Sequence, residues 1–404
     1  MRGSRVLSAL ALGSVALLVV GSAACGGSPS VPGPSSEDLS IEPQTEIDRE
    51  GAAVDLVDGL EPVRPAGDGT AVCPSLSIAM AGDLRGADAT IALAVKNGIQ
   101  LAVDQHNAAN PACQVQLKPF DTEGDPGKSA DLAARIADDA GTIGLVGPVT
   151  SDETLIAGEV FDRAGLIAAS PSATSPVLSE NGWRTFFRGV ASDAVQGRAL
   201  ANYLTRSLGH RKVCVVDDSS EYGLGLALLV RETLGAMADS ACNIAVRSDA
   251  TNFSEVVTQI NSATPDSVFF AGYYAQAAPL VKQLRAGGFE GTFIGADGVK
   301  SAAFVAEAGS AAAGAVLSCP CSPAPSEFVE EYSRAFDQPP GAYSVEAYDL
   351  GTILLTGIDS GAITRPALLD FVRKYDGQGI ARRYRWTGDG DLVDPPIWVY
   401  RVVE

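Results

Sequence analysis

The sequence predicts an α/β fold with parallel sheets flanked by helices. Two patterns lead there. From residue 73 onward, short continuous apolar strands alternate with helical spacings. Strands of that kind lie in parallel sheets covered on both faces. The alternation also restarts after Arg188, so there are two βα series rather than one long sheet. The roughly 330 residues involved suit two lobes or domains.

Residues 76–81 form the first apolar strand. Residues 92–107 have helical spacing, with Ile99, Ala102, Val103 and His106 on one side. His106 reads as a helix-surface or C-terminal residue, not a catalytic one. Val115, Leu117 and Pro119 alternate as a strand, and Asp125-Pro126 then opens a helix with the favoured cap and first-turn residues. Residues 143–146 and 166–169 are apolar strands, each followed by a turn. In the second series, 193–207 reads as a helix, 212–217 as a strand and 223–237 as a helix. Residues 243–246, 267–271 and 292–295 are further strands, with helices around 253–263 and 279–286 between them. Residues 326–375 hold three helical patterns. Two strand-like runs follow, 381–386 and 397–402, around the polar turn Gly388-Asp389-Gly390-Asp391.

The N-terminus indicates the compartment. Arg2 and Arg5 precede an apolar run, and Ser22-Ala23-Ala24 precedes Cys25. Residues 1–24 therefore read as a signal peptide with a small-residue cleavage site. The segment looks like a lipobox, which makes Cys25 the lipidated residue and places the chain on the extracytoplasmic face of the cell membrane. Residues 25–72 are first rich in Ser, Pro and Gly, and then carry ten acids and two arginines between residues 37 and 68. Such a stretch buries too little to fold alone, so a disordered tether is expected, spanning on the order of 40 Å.

Acidic residues outnumber basic ones 49 to 29, a formal charge of −20. Nucleic acid is excluded as a partner, because phosphate binding needs a basic surface. Apart from Cys25 there are six cysteines, an even number that favours disulfides in an exported chain. Cys73 and Cys113 each precede a strand, and those strands should be neighbours. Cys214 and Cys242 hold comparable places in a second pair, which leaves Cys319 to close on Cys321. Neither of the two histidines stands at metal-ligand spacing from a cysteine. No Gly-x-Ser-x-Gly elbow or phosphate loop is present, so neither catalysis nor a cofactor is expected.

Three separated segments together describe a pocket for a free amino acid. Gly147-Pro148-Val149-Thr150-Ser151 runs into a helix start, and Ser170-Pro171-Ser172-Ala173-Thr174 adds hydroxyls. Hydroxyls and unused N–H groups at a helix start suit a carboxylate. Tyr273 and Asp297 supply the opposite character, an acid for an ammonium. Each has a plainer use as well. Ser151 reads as the N-cap of its helix, and Asp152 and Glu153 complement the helix dipole.

The chain resembles type I periplasmic binding proteins of the branched-chain amino acid transport class. The resemblance covers residues 73–404 and rests on order and spacing. Gly82-Asp83-Leu84-Arg85-Gly86 with Asn97-Gly98-Ile99 is similar to the first loop and helix of the family. Asp121-Thr122-Glu123-Gly124-Asp125-Pro126 is similar to the turn after its second strand, Glu221-Tyr222-Gly223 to the opening of the second lobe, and Tyr343-Ser344-Val345-Glu346 to a late helix. The resemblance implies two Rossmann-like lobes joined by three crossover segments: residues 73–190 plus 319–378, and 191–318 plus 379–404. Hinges would lie near 188–193, 317–323 and 376–381. By position, it makes Ser151, with Thr150 beside it, the carboxylate contact. Ser172 would offer main-chain atoms and Thr174 a hydroxyl reaching both charged groups. Tyr273 and Asp297 would lie near the ammonium, and Tyr222 and Tyr343 at further cleft positions. Well-known members often carry Glu where Asp297 stands, so reach is shorter here by roughly one C–C bond step. The function implied is capture of an amino acid by a monomer and delivery to an ABC permease. The rival reading is a sensor that presents an amino acid, an amide or a small aromatic acid to a receptor.

Overall fold

Strand runs without a polar face need cover on both sides, and two sheets here receive it. The computed structural model describes residues 39–54, 61–87 and 89–404. The signal peptide, Cys25 and the first part of the expected tether lie outside the described residues.

The first described strand is β1 (Ser40–Ile47). Next come β2 (Leu76–Gly82), α1 (Ala89–Ala109), β3 (Val115–Asp121), α2 (Pro126–Asp138), β4 (Thr142–Val146), α3 (Ser151–Arg163), β5 (Ile167–Ser170), α4 (Val177–Glu180) and β6 (Phe186–Arg188). Strands β2 to β6 make a parallel five-stranded sheet in the order β3-β2-β4-β5-β6. Every residue of β2, β4 and β5 is buried. Ala79, Ala81, Leu145 and Ala168 cluster with Ile136 of α2 and Phe161 of α3. Ile78, Met80, Ile167 and Ala169 belong to the cluster that holds Val95 and Ile99 of α1. Alternate residues thus serve opposite faces. Asp125 caps α2 as the sequence predicts, its side chain accepting from Gly127 N and Lys128 N.

The chain then crosses to a second sheet through α5 (Asp193–Asn202), which continues as a π-helix over Tyr203–Ser207. There follow β7 (Val213–Asp217), α6 (Glu221–Leu234), β8 (Ala238–Ala245), α7 (Ser254–Ala263), β9 (Ser267–Ala271), α8 (Tyr274–Ala286), β10 (Thr292–Gly295), α9 (Ala302–Ala308) and β11 (Val316–Cys319). After β11 it returns to the first sheet with α10 (Ser326–Phe336), α11 (Ser344–Asp359) and α12 (Arg365–Lys374); α11 packs on α1, and α12 on β4. The small hairpin β12 (Gly377–Gln378) and β13 (Arg383–Tyr384) precedes a third crossing to β14 (Ile397–Val403). The second sheet has the order β1-β14-β11-β10-β9-β7-β8, antiparallel only where β14 meets β11 and β1. Val215, Phe269 and Ile294 pack with Leu226 of α6 and Leu200 of α5 on one face. Val216, Phe270 and Phe293 cluster with Ile260 of α7, Val281 of α8 and Phe304 of α9. Among the described residues no helix is long and apolar enough to cross a membrane.

The structure pairs Cys73 with Cys113, Cys214 with Cys242 and Cys319 with Cys321, as expected. The first bond joins the residues leading into the neighbouring parallel strands β2 and β3, and the second joins Cys214 near the start of β7 to Cys242 in the middle of β8.

Two expectations are corrected. Residues 40–47 are not part of a disordered tether but an edge strand, and 61–72 are held down as well. Val63 N donates to Gln378 O at 2.8 Å, and Asn110 Nδ2 to Ala66 O at 3.1 Å. An edge strand has one partner and one wet side, so it tolerates Pro43 and five polar positions that disguise it in sequence. His106 is fully buried rather than at the surface, its Nε2 2.8 Å from Asp359 Oδ1.

Candidate functional site

In open parallel sheets, the loops at the carboxyl ends of strands form the binding crevice. Five such loops and the turn before α11 converge here. Their cavity has about 300 Å³ of space free of atoms and is lined by Ile91, Val149, Thr150, Ser151, Ser172, Tyr222, Tyr273, Asp297, Gly298 and Tyr343. Room for water-sized spheres within it is about 20 Å³, so its walls lie nearly against one another in this arrangement. The cavity therefore brings together seven of the eight residues expected to bind ligand.

The first lobe supplies the hydroxyl side. Thr150, not Ser151, is the N-cap of α3. Its hydroxyl accepts from Glu153 N at 3.2 Å, and Glu153 Oε2 accepts from Thr150 N at 3.1 Å. This reciprocal cap leaves Ser151 in the first turn, where backbone N–H groups have no partner within the helix. Glu153 thus does more than complement the dipole, and its burial raises its carboxyl pKa. The Ser170–Thr174 loop is stitched to the α3 loop: Ser170 Oγ donates to Pro148 O and Ser172 Oγ to Val149 O, both at 2.6 Å. Arg188, fully buried, fixes the far end of that loop. Its Nη1 donates to Ser175 O at 3.0 Å, and its Nη2 to Ser179 Oγ at 3.0 Å.

The second lobe supplies the acid. Asp297 follows β10 and is 4% exposed. Its Oδ1 accepts from Tyr222 Oη at 2.8 Å and Gln196 Nε2 at 2.9 Å, and its Oδ2 accepts from Tyr343 Oη at 2.5 Å. Burial raises the carboxyl pKa, while the three donors favour the charged form. Burial and the facing Asp297 charge push both tyrosine hydroxyls well above their usual range, so they stay protonated donors. The Tyr222 and Tyr273 rings lie 5.3 Å apart, forming one aromatic wall. Tyr343 sits at φ +66°, a left-handed conformation that a bulky residue adopts at a cost.

Thr174 is not among the cavity-lining residues. It is 1% exposed, and its hydroxyl lies beside Asp193 without bond geometry. Thr174 Oγ1 and both carboxylate oxygens of Asp193 have no hydrogen-bond partner among the described residues. Asp193 is fully buried, and burial together with the Asp297 charge raises its pKa well above the carboxylate range. In the sequence Asp193 stands only as a helix start near a hinge, and neither Gln196 nor Arg188 is marked as a site residue. The one available signal was the recurring strand, loop and helix start at residues 188–193, the pattern that yielded Ser151.

The lobes touch around this cavity. Besides Tyr343 and Asp297, Glu221 N donates to Asp152 Oδ1 at 3.1 Å and Ser175 Oγ to Glu221 Oε1 at 3.3 Å. Asp152 is therefore an inter-lobe contact as well as a dipole partner. A larger crevice shares Ile91 and is lined by Ile41, Thr90, Lys300, Val305 and Pro340, but no acid lines it. Only the smaller cavity offers both a hydroxyl-lined helix start and a carboxylate. His106, Cys113 and Asp359 also cluster, but Cys113 is disulfide-bonded and so offers no thiolate to a metal.

Residues 75–404 match the family model described as periplasmic binding protein. The chain is 25% identical over 302 residues to the leucine-, isoleucine-, valine-, threonine-, and alanine-binding protein of Pseudomonas aeruginosa, covering 72% of this chain and 80% of that one. It is 28% identical over 335 residues to the Leu/Ile/Val-binding protein BraC3 of Rhizobium johnstonii, covering 81% and 91%. Among solved structures, it is similar to the branched-chain amino acid transporter substrate binding protein LivJ from Streptococcus pneumoniae in complex with isoleucine. There the TM-score is 0.76 at 24% identity, covering 82% of this chain and 96% of that one.

Proposed function

This chain belongs to the periplasmic binding protein family, whose members are solute-binding proteins rather than enzymes, and from that premise we propose that it captures a branched-chain amino acid between its lobes. The observation that carries the reading is one cavity with opposite chemistry on its two sides. Ser151 and the first turn of α3 face it from the first lobe, and Asp297, held by Tyr222 and Gln196, faces it from the second. A zwitterion satisfies both sides at once, its carboxylate on the helix start and its ammonium on the acid. Asp193, fully buried next to Asp297, adds a second acid behind the cavity wall without lining the cavity. Ile91, Val149 and the tyrosine rings leave an apolar remainder for an aliphatic side chain. Relatives named for binding leucine, isoleucine and valine support that choice.

The mechanism follows from the two lobes, residues 73–190 plus 319–378 and 191–318 plus 379–404. A ligand gripped by both selects the closed arrangement, and an ABC permease reads that arrangement. Lipidation at Cys25 holds the chain at the outer face of the cell membrane, within reach of the permease. A thermal-shift screen against the common amino acids tests the binding reading. At 100 times the dissociation constant, a true ligand adds about 2.7 kcal/mol. Leucine, isoleucine or valine should raise Tm most. No shift with any of them, or a larger one with a ligand lacking the ammonium, overturns the reading.

A further inference from the structure

The polar turn Gly388-Asp389-Gly390-Asp391 reads in the sequence only as a loop between strands. In the structure it is seated on β6, the edge strand of the first sheet. Arg188 N donates to Gly390 O at 3.0 Å, and Trp386 Nε1 donates to Arg188 O at 2.7 Å. The Trp386 ring meets Phe187 edge-on, with centroids 5.5 Å apart. Gly390 has φ +84°, and a Cβ there would collide with Phe186 O, so only glycine lets the turn come this close. The approach brings Asp391 Oδ1 to 2.7 Å from Arg188 Nε.

The Arg188 side chain is fully buried, whereas that of Asp391 is 36% exposed. A buried guanidinium needs a counter-charge and acceptors. Two acids face this one. Asp391 lies at ion-pair distance. Asp193, on the side of Asp297, acts on it only through its charge, since neither of its carboxylate oxygens has a hydrogen-bond partner among the described residues. The guanidinium is a rigid plane, so the partner of Nε decides where its other nitrogens point. With Asp391 in place, Nη1 donates to Ala173 O at 3.3 Å and to Ser175 O at 3.0 Å, and Nη2 to Ser179 Oγ at 3.0 Å. Ser175 carries the effect onward in two directions. Its N donates at 3.2 Å to the hydroxyl of Ser151 in the cavity wall, and its Oγ donates at 3.3 Å to Glu221 Oε1 in the opposite lobe.

We infer that Asp391 is a positioning residue for the ligand site: it holds Arg188 on the 173–175 loop and away from Asp193, and through Ser175 it sets the Ser151 hydroxyl. The inference rests on the amino-acid site read above. Asp391 touches no ligand itself. Without its charge, Asp193 is the remaining acid that faces the guanidinium. A turn toward Asp193 releases the carbonyls of Ala173 and Ser175. It also brings positive charge toward the acid pair proposed to receive the ammonium, which opposes binding.

Three variants of the whole chain test this: Asp391→Asn, Asp391→Glu and, as a control, Asp376→Asn, which removes an exposed ion pair with Arg383 in the neighbouring hairpin. Calorimetry reads isoleucine affinity, and hydrogen exchange reads the amides of residues 173–175 in ligand-free protein. Asp391→Asn should weaken isoleucine several-fold and speed exchange of the Ser175 amide, whose bond to Ser151 loosens. Asp391→Glu keeps the charge and should recover most of both, and Asp376→Asn should change neither. Unaltered Ser175 exchange in Asp391→Asn overturns the inference. So does faster exchange with unchanged affinity, or a loss of affinity that Asp391→Glu shares in full. The exchange comparison needs no ligand, so absence of any response to isoleucine in the unaltered chain counts against the amino-acid reading alone.

Discussion

Tyr343 Oη donates to Asp297 Oδ2 at 2.5 Å, a bond that joins the turn before α11 in one lobe to the end of β10 in the other. The acid proposed to hold the ligand ammonium is thereby also a closure contact. Tyr343→Phe removes the donor and leaves the packing of a residue 3% exposed almost unchanged. A hydrogen bond to a charged group contributes about 1.5–3 kcal/mol. Amino-acid affinity should fall about tenfold or more, with little change in the Tm of the ligand-free protein. Calorimetry reads the first quantity and thermal denaturation the second. An unchanged dissociation constant would remove Tyr343 from the closing mechanism.

Asp297 itself gives the larger effect. Asp297→Asn keeps the shape and forfeits the counter-charge of a desolvated ammonium, at a cost of about 2–5 kcal/mol of affinity. The amide also turns one of its two positions into a donor, which opposes either the Tyr222 and Gln196 donors on Oδ1 or the Tyr343 donor on Oδ2. Some stability is therefore lost too, but much less than affinity. Titration of both forms with isoleucine measures the difference. Equal affinity would take Asp297 out of the site.

What was legible in the sequence followed from local chemistry and, for Tyr222 and Tyr343, from the family resemblance. Thr150, Ser151, Ser172, Tyr222, Tyr273 and Asp297 stand where strands end and helices begin, and Gly and Pro punctuate those places. The disulfides were legible because parallel neighbours bring Cys73 to Cys113 and Cys214 to Cys242. Asp193 was not, because an acid at a helix start has an ordinary use there; only burial and the nearby Asp297 charge set it apart. The strand β1 was hidden for a different reason. Its register depends on a partner 350 or more residues away, and just Ile41 and Ile47 are apolar among its polar residues and Pro43. The choice of Thr150 over Ser151 as cap was undecidable by type, since both hydroxyls suit it.

Asp193 leads to a pH dependence with a definite sign. Its carboxyl is raised by burial and by Asp297, and Arg188 is the charged group that opposes the rise. Tyr222 and Tyr343, the other titratable groups around the pair, stay neutral. A folded carboxyl that holds its proton above the unfolded value, about 3.9, contributes stability fully present below that value. The contribution is lost as pH rises through the folded value. From pH 4 upward the Tm of the unaltered ligand-free protein should therefore fall relative to that of Asp193→Asn. Asp349, pushed up to about 7 by burial, titrates in both forms, so the difference between them reports the Asp193–Asp297 pair. A cationic group should bind the ionised pair better, so isoleucine affinity rises with pH in the unaltered chain over the same window. Parallel Tm curves for the two forms would exclude a raised Asp193.

The inter-lobe contacts describe the arrangement in which the lobes meet. Asp152 with the Glu221 amide, Ser175 with the Glu221 carboxylate and Tyr343 with Asp297 all join residues of opposite lobes around the cavity rim. Glu221 and Asp152 both stand in first helical turns, so closure brings the positive ends of α3 and α6 together with an acid on each. A ligand that bridges the cavity adds its own bonds to this small set and shifts the balance toward the closed arrangement. Small-angle scattering of the chain from residue 39 onward should therefore show a smaller radius of gyration when saturated with isoleucine. Far-ultraviolet circular dichroism should stay the same, because the motion is a hinge and not a folding step. Asp152→Ala should enlarge the ligand-free radius or leave it unchanged, and should not lower it. If isoleucine binds by calorimetry while the radius stays fixed, the lobes are closed already, and ligand-driven closure is wrong for this protein.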